Sequence, residues 1–374
     1  MRTNVGEWPL KKPFRRACGF LLIASMAYLS FIGYGAAALP ERPGSVLEAK
    51  NTAAMRDYVV PGGEIFGIKL YTRGVLVAKT DLVATENGSE NPAQAAGLRA
   101  GDVIIEINGA EVNRKKEVSD AIEQSGGTPL RMTVERGGEE LHLHCTPARS
   151  AAGGKYIAGL WVRDSSAGIG TITFYDKRSG AVAGLGHAIC DVDTGGVMTA
   201  AGGELVRARV MGCYKGVDGT PGELCGVFEP ETIASLEHNS DCGVYGRLAG
   251  TGGAGPGADG PFDGQPVPVA LKSEVKTGPA QALVTIDGRE KQAYDVEIVK
   301  VSMNASSNRK NMTIRVTDPA LIEATGGIVQ GMSGSPILQN GMLVGAITHV
   351  FVNTPLEGYA IFAETMLATA RNLP

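Results

Sequence analysis

A mainly β fold is what the 374-residue sequence predicts, and three observations predict it. Glycine is abundant at 52 residues, and aromatic residues make up only 6%. The chain also breaks repeatedly into short apolar runs divided by glycine, asparagine and proline. That texture favours strands and tight turns over long helices. The length accommodates two domains besides any membrane segment. A net charge of −4 and a pI near 5.8 supply no basic field, so nucleic acid is not an expected partner. None of the six cysteines forms a CxxC pair and no HExxH occurs, so neither metal nor cofactor is expected. A disulfide such as Cys213 to Cys225 is open to the chain outside the cytoplasm.

The elements follow in order. Lys11, Lys12, Arg15 and Arg16 precede an uncharged apolar run, residues 17–39, long enough to cross a bilayer as a helix. The cations keep residues 1–16 in the cytoplasm and place the rest of the chain on the far side, as a single-pass membrane protein. A cleavable signal peptide is the rival reading, because Ala36–Ala38 offers small residues to a signal peptidase. Residues 40–63 read as a linker with prolines near both ends.

From Glu64 the runs EIFGIKLY, GVLVAKT, DVIIEING and LRMTVERGGEELHLHC predict strands, the last a hairpin turned at Gly137–Gly138. Between them, Val118, Ala121 and Ile122 share one face of a helix stopped by Gly126, and a shorter helix is predicted near Ala93–Ala96. Residues 64–148 are therefore a small α/β module. Over residues 149–374 short strands dominate, and ETIASLEHN and AETMLATARN are the main helical candidates. The glycine-rich stretch 249–266 builds no core and reads as a loop.

One stretch points to chemistry. In GIVQGMSGSPI, residues 327–337, glycines frame Ser333. A serine becomes a nucleophile when a neighbouring base takes its proton, and the oxyanion that follows needs preorganised donors. The Gly331 and Ser333 N–H groups are the candidate oxyanion hole. A glycine–serine turn ahead of a strand is the bland alternative. The base must come from five histidines. His142 and His144 alternate along a hairpin toward solvent, and His238 sits in a polar EHNSD segment. His187, in GLGHAICDVDTG, is framed by small and apolar residues at a strand end, where an imidazole reaches across a cleft. His349, in AITHVFVN, is expected to line the substrate cleft or core. For the orienting carboxylate, Asp318 sits in VTDPALIE, where capping the helix that begins at Pro319 is a competing explanation. Asp191, Asp193 and Asp241 are rivals, and spacing does not choose among them.

Two resemblances attach to these residues. NPAQAAGLRAGDVIIEINGAEV, with GIKL at 67–70 in the place of a carboxylate-binding loop, resembles a PDZ domain. This implies a peptide pocket lined by Gly67, Ile68, Leu70, Val118 and Ile122, although the same side chains also suit a core. The segments GLGHAICDVDTG, TDPALIEATGGIVQGMSGSPILQNG and GAITHVFVNTPLEGYAIF resemble the SpoIVB peptidase family of endospore-forming bacteria. That resemblance implies a trypsin-like double β-barrel carrying a serine endopeptidase with His187 as base, Ser333 as nucleophile and Asp318 as orienting acid. It also implies action between the two forespore membranes. There the enzyme is expected to cut its own N-terminal segment and then a membrane-bound regulator of an intramembrane protease, which releases a sigma factor during sporulation. The alternative function is a noncatalytic PDZ adaptor at the membrane.

Overall fold

The computed structural model describes residues 56–248, 264–303 and 310–373. The expected anchor at 17–39 lies outside the described residues, as do residues 1–16, residues 40–55 of the linker and residues 249–263 of the glycine-rich stretch. Among the described residues, no helix is long and apolar enough to cross a membrane.

The first long element departs from expectation. EIFGIKLY and GVLVAKT form one strand, β1 (Ile65–Thr80). Gly74, at φ +75°, bends the strand rather than ending it, and its N–H donates to Asn113 Oδ1 at 2.9 Å. Past that bend lies the small module: helix α1 (Pro92–Ala95), strand β2 (Val103–Ile107), helix α2 (Lys115–Gln124) and the hairpin β3 (Leu130–Arg136) and β4 (Glu139–Cys145). Gly137 and Gly138, at φ +61° and +88°, make the expected turn. Val118 and Ile122 bury one face of α2 against Leu98, Ile104 and Met132.

The chain then returns along β5 (Leu160–Asp176), antiparallel to β1. Leu160 pairs with Thr80 at the module end, and Thr171 pairs with Ile65 at the far end. The module is thus carried at the tip of a two-stranded arm whose other end belongs to a barrel. β1 and β5 each run without interruption from the barrel into the module, so the two bodies share both strands.

That barrel is completed by β6 (Ala181–Gly184), β7 (Ala200–Tyr214), β8 (Glu223–Ser240) and β9 (Gly243–Leu248). Pairing runs β1–β5–β6–β9–β8–β7 and back to β1, which closes the ring. Phe66, Ile68, Leu70, Ile172, Leu205 and Leu236 fill it. ETIASLEHN is not the helix its sequence suggests. Ala234 pairs with Leu205 and Leu236 sits opposite Gly246, so two flanking strands claim its backbone and barrel burial overrides local propensity.

A second six-stranded barrel follows, from β10 (Gly278–Val284), β11 (Gln292–Val301), β12 (Met312–Val316), β13 (Pro336–Gln339), β14 (Met342–Phe351) and β15 (Thr354–Phe362), closed by β10–β13 pairing. Helix α3 (Pro319–Thr325) precedes the Ser333 loop, and α4 (Ala363–Arg371) ends the fold. Asn340 and Gly341, both at positive φ, turn the β13–β14 hairpin. The end of the expected linker is also structured. Tyr58–Pro61 pairs with β5 through Val60 and Tyr175, and Val59 and Val60 are buried.

Leu70 tests the reassignment of GIKL to the barrel. Leu70→Ala should cost about 3 kcal/mol of unfolding free energy, the usual loss for a fully buried leucine. Urea unfolding at unchanged slope measures it, and a groove residue would leave the midpoint nearly untouched.

Candidate active site

The loop that carries Ser333 is shaped from the opposite barrel. Thr171 N–H donates to Ser333 O at 2.9 Å, Thr171 Oγ1 to Gly331 O at 2.7 Å, and Thr173 Oγ1 to Gly334 O at 2.8 Å. Both threonines are wholly buried on β5, so these bonds have no competing water. Gly334 sits at φ +98°, and a Cβ there would lie 1.9 Å from Thr171 O. No other residue allows so close an approach. On the other side, Gln330 N–H donates to Gly222 O at 2.8 Å and Leu224 N–H to Gln330 O at 2.9 Å. Among the described residues, no hydrogen bond uses the Gly331 or Ser333 N–H. The Ser333 hydroxyl donates to Thr348 O at 2.7 Å.

His187 arrives from the first barrel. Leu185, just after β6, holds φ +64°, an uncommon conformation for a bulky side chain that stores about 1 kcal/mol or more. It turns the chain so that Gly186, also at positive φ, packs against Thr348 and Ile361 of the second barrel. His187 Nδ1 bonds Ala188 O at 2.8 Å. A carbonyl only accepts, so Nδ1 carries a proton, and in the neutral tautomer that makes this bond the lone pair is on Nε2.

Three residues hold this loop, and two of them, Asn239 and Arg163, carry no motif signal. Asn239 donates to Ile189 O and Met198 O and accepts from Ile189 N–H. Asp191, buried, accepts through Oδ1 from Asp193 N–H, Thr194 N–H and Thr194 Oγ1. Arg163, on the arm, ion-pairs with Asp191 at 3.3 Å and with Asp193. Asp191 and Asp193 therefore brace the loop after His187.

The two loops meet at one cavity of ≈ 480 Å³ whose wall includes His187, Cys190, Gln330, Gly331, Ser333 and His349. The structure thus brings together His187, Ser333 and Gly331, with His349 beside them as a cleft residue. It does not bring Asp318. That carboxylate caps α3, with Oδ1 accepting from Ala320 and Leu321 N–H groups and Oδ2 from Asp295 N–H. Asp241 is exposed at the turn between β8 and β9.

The peptide-pocket assignments at the start of β1 need correction. Gly67, Ile68 and Leu70 pair on both sides, with β5 and with β7, so that strand has no free edge for a peptide. Val118 and Ile122 instead face residues 157–162, where they line a second cavity of ≈ 450 Å³ with Ile157, Leu160, Trp161 and Val162. Trp161 is 58% exposed and Ile157 40%. The cavity beside α2 is therefore formed with the start of β5 and not with GIKL. The sequence signal was YIAGLWV, masked by the better-placed GIKL.

The cysteines form no disulfide among the described residues; Cys213 and Cys225 lie on the paired strands β7 and β8 as free thiols. Burial pushes the Cys145 thiol up to about 11, which keeps it protonated.

A serine and a histidine presented by two abutting six-stranded barrels, with a peptide-binding module on an arm, define a serine peptidase of the PDZ-bearing class. The comparisons agree. The model of the SpoIVB peptidase S55 family matches residues 154–367, and a PDZ domain model matches residues 88–136. The chain belongs to the SpoIVB peptidase family. Among curated relatives, the zinc metalloprotease RasP of Shouchella clausii is 31% identical over 113 residues, 30% of this chain and 25% of the relative. Serine protease HTRA1 of Xenopus tropicalis is 43% identical over 58 residues, 16% of this chain and 12% of the relative. The chain thus spans a quarter or less of the length of these relatives. The Rv3671c protease of M. tuberculosis in its active form aligns at 12% identity and a TM-score of 0.32, covering 56% of this chain and 74% of that one.

Asp318 gives a test of capping. Asparagine keeps one acceptor oxygen for the cap but sets an NH2 donor against the Asp295 N–H, so Asp318→Asn should lose about 1 kcal/mol, whereas Asp318→Ala, which also loses the cap, should lose about 2 kcal/mol. Thermal and urea unfolding of the two variants measure the difference.

Proposed function

We propose that this chain is an extracytoplasmic serine endopeptidase in which Ser333 is the nucleophile, His187 the general base, and the Gly331 and Ser333 N–H groups the oxyanion hole. The observation that carries the reading is the single cavity wall shared by His187, Gly331 and Ser333, with the tautomer of His187 set by Ala188 O.

The chemistry follows from the geometry. Ser333 Oγ leaves Thr348 O, gives its proton to His187 Nε2 and bonds to the carbonyl carbon of the scissile peptide. The negative oxygen takes the Gly331 and Ser333 N–H groups, which donate no hydrogen bond among the described residues. His187 then protonates the leaving amine and the peptide C–N bond breaks. Water, deprotonated by the same imidazole, cleaves the acyl-enzyme and restores Ser333.

The substrates are proposed on family grounds. They are the chain's own N-terminal segment and a membrane-bound regulator of an intramembrane protease, cleaved between the forespore membranes to release a sigma factor in sporulation. The anchor at 17–39 holds the enzyme at the membrane until self-cleavage frees it. The groove between α2 and residues 157–162 takes an extended peptide. Tyr58–Pro61 is paired with β5 beside the ring, which supports residues 40–55, ahead of it, as the segment that is cut.

Intact-mass measurement of the purified full chain should show a cut within residues 40–55 in the native protein. In Ser333→Ala and His187→Ala it should show none, a loss of about 10⁴-fold or more. Normal trimming of Ser333→Ala in a protease-free preparation would remove the peptidase reading.

A further inference from the structure

The structure assigns the small module a part in the catalytic step: we propose that Arg163 positions the loop that follows His187, and that Asp164 ties that position to helix α2. The inference rests on the assignment of Ser333 and His187 above and adds two positioning residues to it. Successive side chains of a strand point to opposite sides, and this pair uses both. Arg163 turns to the His187 loop, pairing with Asp191 at 3.3 Å and with Asp193. Asp164, buried, turns to the module, where its Oδ2 accepts the Lys115 N–H at 3.0 Å. Lys115 opens α2, so its N–H is one of the donors that the helix itself cannot satisfy.

Each link in this line is one that its element does not readily replace. Asp191 Oδ2 is buried, accepts no hydrogen bond among the described residues and faces Arg163 Nε. Without that cation a buried carboxylate oxygen loses its counterion, a strongly destabilising arrangement that a shift of the loop relieves. The loop has room for it. A cavity of ≈ 200 Å³ opens between Thr194, Val197 and Met198 of the loop and Ala100, Gly101 and Val103 of the module. At the other end Asn113 Oδ1 accepts the Gly74 N–H at 2.9 Å, so the start of α2 is fastened to both strands of the arm. The β1–β5 ladder breaks register on each side of Val162 and Arg163, the irregularity by which a strand re-aims its side chains. The line from α2 through Asp164, Arg163 and Asp191 thus ends on the loop that carries the base. The module therefore acts in catalysis even on a substrate too small to reach its own cavity.

A fluorophosphonate is such a substrate. Ser333 Oγ bonds to phosphorus, the P–F bond breaks, fluoride leaves and His187 takes the proton. Probe affinity and limiting labelling rate are measured separately on the full chain for the native protein, Ser333→Ala, Arg163→Ala, Arg163→Lys, Asp164→Ala and Lys115→Pro. Labelling is read well below the thermal unfolding midpoint of each variant. Proline suits the first position of a helix, and Arg114 before it is already extended at φ −126° and ψ 137°. Lys115→Pro therefore removes the N–H and leaves α2 in place. Because a displacement of about 1 Å can cost about 10²-fold, the limiting rate should fall about tenfold or more in Arg163→Ala and Asp164→Ala. In Lys115→Pro it should fall about threefold or more, with probe affinity within about twofold of native in all three. Arg163→Lys, which keeps a cation before Asp191, should label faster than Arg163→Ala. Unchanged limiting rates in Asp164→Ala and Lys115→Pro would confine the module to docking and overturn the inference. Weakened probe affinity at an unchanged limiting rate in Arg163→Ala would also overturn it. Labelling that persists in Ser333→Ala, or is absent from the native protein, would instead fail the assignment on which the inference rests.

Discussion

The arrangement depends on the bonds that β5 of the first barrel makes to a loop of the second. Thr171 and Thr173, wholly buried, give three hydrogen bonds to the carbonyls of Gly331, Ser333 and Gly334. With its carbonyls held by β5, that loop uses neither the Gly331 nor the Ser333 N–H in a hydrogen bond among the described residues. The contact is possible only because Gly334 has no side chain, since any Cβ would meet Thr171 O. One backbone approach therefore joins the barrels and shapes the Ser333 loop.

β5 has a second task. Its first residues, Leu160–Val162, line the groove of the inserted module, Arg163 pairs with the loop after His187, and Thr171–Thr173 clamp the serine loop. The module cavity, the loop after His187 and the Ser333 loop thus touch one continuous strand of 17 residues. The long paired arm of β1 and β5 has no free linker, so the module is held to the barrel by a hydrogen-bonded ribbon.

Much of this was legible in the sequence where the signal was local. The two type I′-like hairpins at Gly137–Gly138 and Asn340–Gly341, the α2 periodicity and the Pro319 helix start all appear where their residues place them. Ser333 and His187 were legible because their glycine-rich frames are unusual, and the structure sets both in one cavity wall. What the sequence hid was set by long-range pairing. GIKL fits a groove strand and a barrel strand equally well, and only its partners β5 and β7 decide. ETIASLEHN has helical spacing, yet its backbone is claimed on both sides. Arg163 and Asn239 carry no motif at all, since their importance lies in a loop far away in the chain.

The most direct measurement is a crystal structure of the chain trapped with a peptidyl phosphonate, a mimic of the tetrahedral intermediate. The account predicts phosphorus bonded to Ser333 Oγ, a phosphoryl oxygen held by the Gly331 and Ser333 N–H groups, and His187 Nε2 within about 3 Å of the Ser333 oxygen. An adduct on any other side chain, or a phosphoryl oxygen pointing away from those two N–H groups, would contradict it.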